Sequence, residues 1–310
     1  MSTVATPEGF VHPALFYRTE QEYIQQTLSF LREGLANGEP MAVAVPGPNL
    51  ELIKSGLGAD AEGVLFLDMT EAGRNPGRII PKVLRGFADA HPKDRVRIIG
   101  EPIWAGRSAV EYPACAQHEA LINAAFEGRA ATILCPYDET RLDETVIADA
   151  KATHPTVISG DGRQAVSDAY DWEAVVDRYN QALAPAPEAS LFPFGEKELP
   201  AVRRFAVDEA VRLGLGGGRL MDAELAVSEL TTNSVVHGGG RGTLAIWAEQ
   251  GQLVCEVRDA GRLTDPLAGR RPRTPAQLGG RGLMLVHYVS DLVRVHTSDE
   301  GTTVRFYLSL

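Results

Sequence analysis

The chain has only three cysteines in 310 residues, Cys115, Cys135 and Cys255, and no two form a CxxC pair. An odd, scattered set of this kind excludes a disulfide framework, offers no zinc-ribbon spacing, and suits a reducing, cytoplasmic compartment. No apolar run approaches the roughly 18 residues that cross a bilayer. The opening residues, MSTVATPEGFVHPALFY, have neither the basic start nor the apolar centre of a secretory leader. There is no GxxxxGK(S/T), which excludes nucleotide hydrolysis by the P-loop route. Positive charge is scarce too: 30 Lys and Arg stand against 41 Asp and Glu, a formal net charge of −11. From Gly195 onward the signs balance at 14 each, so the whole excess, 27 acidic against 16 basic, precedes it. An acidic front half disfavours nucleic acid and anionic membrane as partners.

What remains is a globular composition, 44% hydrophobic and 23% charged, at a length that suggests two domains. In the first part, apolar strand-like runs alternate with amphipathic ones. Strands are expected at 40–46, 63–69, 95–102 and 130–138. Helices are expected at 20–38, 49–58, 78–92, 112–128, 142–155 and 171–184. Strands separated by helices of this length imply a mostly parallel sheet covered on both faces, a doubly wound α/β domain over 8–184. The proline-rich stretch PAPEASLFPFGE follows, and the expectation is a short linker over 185–194. From 195 to 310 the order changes to two successive helices, a hairpin turning at Gln250-Gly251-Gln252, a Gly- and Arg-rich loop, a short helix and a last hairpin. That order predicts an α+β sandwich.

Within this second domain, SELTTNSVVHGGG (228–240) sets Glu229, Asn233 and His237 four residues apart, on one stripe of a helix. After it, in order, come VRDAG (257–261), LGGRGLMLV (278–286) and EGTTVRF (300–306). An acid at a strand end accepts a hydrogen bond from an exocyclic amine, with Gly261 allowing close approach. Glycines opening a helix present backbone N–H groups at its positive end, which suits phosphates. An amide oxygen is a sound ligand for Mg²⁺.

This ordered set resembles the GHKL ATPases, the gyrase and histidine-kinase ATP-binding type with the Bergerat sandwich. The resemblance implies ATP and Mg²⁺ as ligands. It gives Asn233 as the Mg²⁺ ligand, Asp259 and Gly261 at adenine, Gly280, Arg281, Gly282 and Leu283 at the phosphates, and Thr302 near the base. Within that superfamily the domain is most similar to anti-sigma factor serine kinases, since no phosphoacceptor-histidine helix precedes it. There Glu229 holds the position of the base for an attacking serine. Implied partners are a sigma factor and an anti-anti-sigma (STAS-type) protein, with a homodimer as a further possibility. The usual second glycine of the first glycine box is replaced by Leu263, and Arg270, Arg271 and Arg273 of the lid are candidate phosphate partners. A binding-only partner switch and an atypical sensor histidine kinase stay open as alternatives.

The first domain, with HPALFYRTEQEY near its start and CPYDETRL and THP near its end, resembles the MEDS sensory domain, with His12 and Tyr17 in its opening motif. That family implies a RecA-like sheet without a P-loop and a sensing role toward a small molecule. Candidate pocket residues are His12, Tyr17, Glu101, Trp104, His118 and Tyr137, several of them at expected strand ends; each taken singly also reads as a structural side chain. His91 and His154 precede prolines and read as helix-end punctuation. His287 and His296 lack metal-ligand spacing, and no zinc or iron site is expected.

Overall fold

A computed structural model of the chain describes residues 9–271 and 280–310. The chain divides into two compact units between Tyr179 and Asn180.

The first unit is built from β1 (Phe10–Val11), β2 (Pro13–Tyr17), α1 (Glu20–Ala36), β3 (Met41–Val45), α2 (Gly47–Leu57), β4 (Val64–Asp68), α3 (Met69–Ala72), α4 (Arg85–Ala90), β5 (Val96–Gly100), α5 (Tyr112–Ala125), β6 (Ala131–Asp138), α6 (Glu144–Thr153), β7 (Thr156–Ser159), β8 (Gln164–Val166) and α7 (Trp172–Arg178). The strands lie in the order β4-β3-β5-β6-β2-β7-β8, with β1 also beside β6. Every pairing is parallel except that of β7 with β8. β2, β3 and β5 are buried along their whole length, as continuous apolar runs in a doubly covered parallel sheet must be. One face carries Leu15, Val43, Val45, Ile99 and Leu134 against Leu28 and Leu31 of α1 and Leu50 and Ile53 of α2. Residues one step along each strand point the other way. There Cys135 and Tyr137 of β6 meet side chains from α5 and the end of α6.

Local chemistry sets the helix limits. Thr19 and Glu22 form a reciprocal capping box at the start of α1. The helix expected over 78–92 is different in kind: a 3₁₀ turn (Pro76–Arg78) runs into a π-helical segment (Ile79–Leu84), and only Arg85–Ala90 is α-helical. Pro81 has no N–H to bond four residues back, so a regular α ladder cannot run through it. The helix expected over 171–184 stops at Arg178.

The second unit contains β9 (Ser190–Gly195), α8 (Leu199–Arg212), α9 (Arg219–His237), β10 (Arg241–Glu249), β11 (Gln252–Asp259), α10 (Gly282–Val289), β12 (Leu292–Ser298) and β13 (Gly301–Ser309). Its five-stranded sheet, ordered β12-β13-β11-β10-β9, is antiparallel throughout. The expected linker over 185–194 is therefore corrected: its second half is an edge strand. Phe192 and Phe194 alternate inward, Phe194 joining the core and Phe192 lying 5.0 Å from the Phe205 ring. Leu191 and Pro193 face outward, and Pro at an edge removes no needed donor. β10 and β11 are joined by Gln250 and Gly251, both at positive φ (49° and 75°), the conformation of a two-residue type I′ hairpin turn. Val202 and Ala206 of α8 and Val227 and Leu230 of α9 pack on Leu244, Ile246, Cys255 and Phe306 of the sheet. This antiparallel sheet with its helical layer fits the GHKL-like sandwich. No helix among the described residues is long and apolar enough to cross a membrane.

Candidate functional site

α9 buries Ala223, Ala226, Val227, Leu230, Thr231 and Ser234, which turns the neighbouring stripe toward the loop side of the domain. Glu229 and Asn233 are half-buried on that stripe and His237 is exposed at its end. The first turn of α10 lies directly against it. A β-carbon on Gly282 would sit 2.6 Å from Glu229 Oε2 and 3.2 Å from Asn233 Nδ2. Only a glycine leaves the carboxylate and the amide this close to the helix start.

Asp259 ends β11, in register with Thr302 of β13. Its carboxylate is held at both oxygens: the Ser234 hydroxyl donates to Oδ2 at 2.6 Å and the Gly261 N–H to Oδ1 at 2.9 Å. Thr302 Oγ1 donates to the Gly261 carbonyl at 2.8 Å and lies 2.9 Å from Thr297 Oγ1, which accepts from the Leu263 N–H at 3.0 Å. The helix end packs as tightly, since a β-carbon on Gly238 would lie 2.4 Å from Asp259 Cγ. Each carboxylate oxygen retains acceptor capacity beyond these bonds, so Asp259 is an oriented acceptor facing open space.

These elements enclose a cavity of about 360 Å³. Of the residues singled out from sequence, Asn233, Asp259, Gly261, Gly280, Gly282, Leu283 and Thr302 line it, as does His237. Glu229 reaches the same place through its contact with Gly282. Arg281 is exposed in the turn before α10. Of the lid arginines, Arg270 is buried and Arg271 pairs with Asp265 at 3.0 Å. Arg273 lies outside the described residues, as do Leu278 and Gly279 of the glycine-rich motif. Ser234 and Gly238, which fix Asp259, were not singled out from sequence. Their partner stands on a different strand, so no local spacing announces the contact.

The donor set fits a magnesium nucleotide. The cradle of Gly282, Glu229 and Asn233 is room that a β-carbon would fill, and Asn233 supplies a hard oxygen beside the N-terminus of α10, where backbone N–H groups lack helical partners.

The first unit has its own cavity, of about 390 Å³, at the carboxyl ends of β2, β3, β5 and β6, the usual ligand crevice of such sheets. Tyr17, Glu101 and Trp104 line it, with Tyr23, Asn49 and Arg141 added by the structure. Glu101 accepts from Asn49 Nδ2 at 3.0 and 2.9 Å and from the Tyr23 hydroxyl at 3.3 Å. Burial pushes its carboxyl up to about 8, outweighing the hydrogen bonds that favour ionisation. Burial likewise raises the Tyr17 phenol. His12, His118 and Tyr137 do not line this cavity: all three are buried. His12 faces Glu119 and Cys135, His118 precedes Glu119 on α5, and Tyr137 sets its ring edge-on to His154. Proximity to a strand end did not distinguish residues pointing into the crevice from those pointing beneath a helix.

Comparison with known proteins follows the same division. Residues 11–155 match the family model of MEDS, the methanogen/methylotroph, DcmR sensory domain. Residues 192–308 match that of the histidine kinase-like ATPase domain. No curated protein matches the chain. Among solved structures, the flagellar accessory protein FlaH from Methanocaldococcus jannaschii is 12% identical at a TM-score of 0.32, over 48% of this chain and 70% of that one. The histidine kinase AdeS of Acinetobacter baumannii is 11% identical at a TM-score of 0.24, over 64% of this chain and 96% of that one. Both likenesses are too distant to bear on function. The protein thus joins an N-terminal MEDS domain to a C-terminal histidine kinase-like ATPase domain, a domain type that binds ATP, usually with Mg²⁺.

Proposed function

We propose that the protein is an ATP-dependent signalling regulator whose second domain sequesters a sigma factor and phosphorylates a serine of an anti-anti-sigma (STAS-type) protein. A small molecule in the crevice of the first domain sets the balance. The observation that carries this reading is the meeting of Glu229, Asn233 and Gly282 beside a cavity in which Asp259 is oriented by Ser234 and Gly261. Asp259 accepts from the exocyclic amine of adenine. The backbone from Gly280 to Leu283 offers N–H donors to the phosphates at the positive end of α10. Asn233 would hold Mg²⁺, which when bound neutralises phosphate charge. Glu229, adjacent to that position, takes the proton of the incoming serine hydroxyl. In the first domain, a Glu101 carboxyl kept neutral by burial favours an uncharged polar ligand over a cation.

A binding-only switch is the second reading, favoured by Leu263, whose N–H is committed to Thr297 Oγ1. The deciding experiment is calorimetry of ATP with and without Mg²⁺ on the wild type and Asp259→Ala, followed by a transfer assay with a STAS-type protein. Mg²⁺-dependent binding lost in Asp259→Ala, with serine phosphorylation by the wild type, supports the kinase. Binding without transfer supports the switch, and no binding to folded wild type removes both.

A further inference from the structure

Four buried side chains of the first domain converge apart from both cavities. His12 lies between β1 and β2, Glu119 on α5, Cys135 on β6, and His154 caps α6. All are at most 1% exposed. One ligand atom from each falls within 4.8 Å of the others. His154 Nε2 is 3.2 Å from Glu119 Oε2, and His12 Nε2 is 3.6 Å from Glu119 Oε2 and 3.5 Å from Cys135 Sγ. A tetrahedral ion bonded at about 2.0 Å to nitrogen and oxygen and about 2.3 Å to sulfur requires edges of about 3.3 Å and about 3.6 Å between its ligands. The three contacts at 3.2, 3.5 and 3.6 Å are close to those edges, and the remaining pairs lie within 4.8 Å, so small side-chain shifts close the tetrahedron.

The outer nitrogens decide what the inner ones are. Asn123 Nδ2 donates to the carbonyls of Ala120 (3.0 Å) and Thr153 (2.8 Å), which turns its Oδ1 toward His12 Nδ1 at 3.3 Å. His154 Nδ1 is 2.8 Å from the Ala150 carbonyl. Both contacts are with acceptors, so both Nδ1 atoms carry the proton, and in the neutral rings both Nε2 lone pairs point inward. They point at a carboxylate neither of whose oxygens receives a hydrogen bond among the described residues. Lone pairs facing a buried carboxylate need positive charge between them. Outward Nδ1–H anchors with converging Nε2 atoms are the arrangement by which metal-binding imidazoles are oriented.

We propose that His12, Glu119, Cys135 and His154 bind one divalent transition-metal ion of the zinc class. The ion's two positive charges match one carboxylate and one thiolate, so the filled site is electroneutral in the core. Binding forms the metal–sulfur bond as the Cys135 thiol loses its proton to solvent. Two imidazoles, a carboxylate and a thiolate suit zinc and its neighbours rather than Mg²⁺ or Ca²⁺. Four protein ligands leave no open position, so the site is structural: it fastens β6 and the strand entering β2 to α5 and α6.

The test uses the full chain. Elemental analysis of the purified protein, and of chelator-treated protein refilled with Co²⁺, is expected to give one ion per chain. The cobalt form should show the intense visible bands of tetrahedral coordination and a thiolate-to-cobalt charge-transfer band. That band should disappear in Cys135→Ser and persist in Cys255→Ala. Circular dichroism identifies variants that fail to fold, and for those the wild-type cobalt spectrum still decides. A folded wild type whose cobalt form lacks the thiolate band, or a band that survives in Cys135→Ser, overturns the proposal and leaves a protonated network in which Glu119 and Cys135 donate to the two rings.

Discussion

Replacing Glu101 with glutamine tests how burial controls the crevice of the first domain. Glu101 is 4% exposed, and burial raises its carboxyl from 4.5 to about 8 against the pull of Asn49 and Tyr23. In the unfolded chain the same group gives up its proton near its ordinary value. Its contribution to stability is therefore complete below pH 4.5 and lost as pH rises through about 8. The loss amounts to roughly 3 kcal/mol at pH 7 and at most about 5 kcal/mol above pH 8. Glutamine keeps the shape and the acceptor for Asn49 but cannot ionise. Glu101→Gln should equal the wild type in acid and become progressively more stable than it between about pH 5 and pH 8. Urea unfolding followed by hydrogen–deuterium exchange of the peptide spanning β5 reads this unit alone. A stability difference that stays constant across that range, or grows toward acid, would refute the reasoning.

Four further variants concern the second domain. Ser234→Ala removes a charge-assisted hydrogen bond to Asp259 and should weaken ATP binding about tenfold by calorimetry; unchanged affinity would show that Gly261 alone orients the carboxylate. Gly238→Ala places a methyl 2.4 Å from Asp259 Cγ, with no backbone strain to confuse the result, and is expected to weaken binding at least as much. Asn233→Ala should reduce the Mg²⁺-dependent part of ATP binding, while Glu229→Gln should keep affinity within a few-fold and abolish phosphoryl transfer. Transfer that survives Glu229→Gln would remove that residue as the base.

Strands β3 to β6 of the parallel sheet were legible because they are apolar runs with polar, helix-length segments between them, whereas β1, β2, β7 and β8, short and set beside prolines or polar residues, were not among the strands expected. The stripe of Glu229 and Asn233 was legible because it repeats every four residues on one helix. What escaped the sequence did so for identifiable reasons. Pro81 stands inside an otherwise periodic helical pattern, and the prolines around β9 concealed the two-residue alternation of Phe192 and Phe194. Ser234 shows no functional spacing, since its role depends on a strand end brought to it by the fold. His154 was read as a helix stop and does cap α6, yet its ring also enters the core. The four residues of its cluster come from four separate elements, so no local motif could gather them.

The edge strand β9 has a practical consequence for dissecting the protein. A cut at residue 195, where composition alone places the domain boundary, would remove every β9 residue but Gly195 and leave β10 without its β9 partner from Gly242 to Ile246. It would also withdraw Phe194 from the core and the Ser190 hydroxyl from Glu209. An isolated ATPase fragment starting there should aggregate through its bared sheet edge. One starting at Asn180 keeps β9 and should stay monodisperse, as size-exclusion chromatography of the two fragments side by side would reveal.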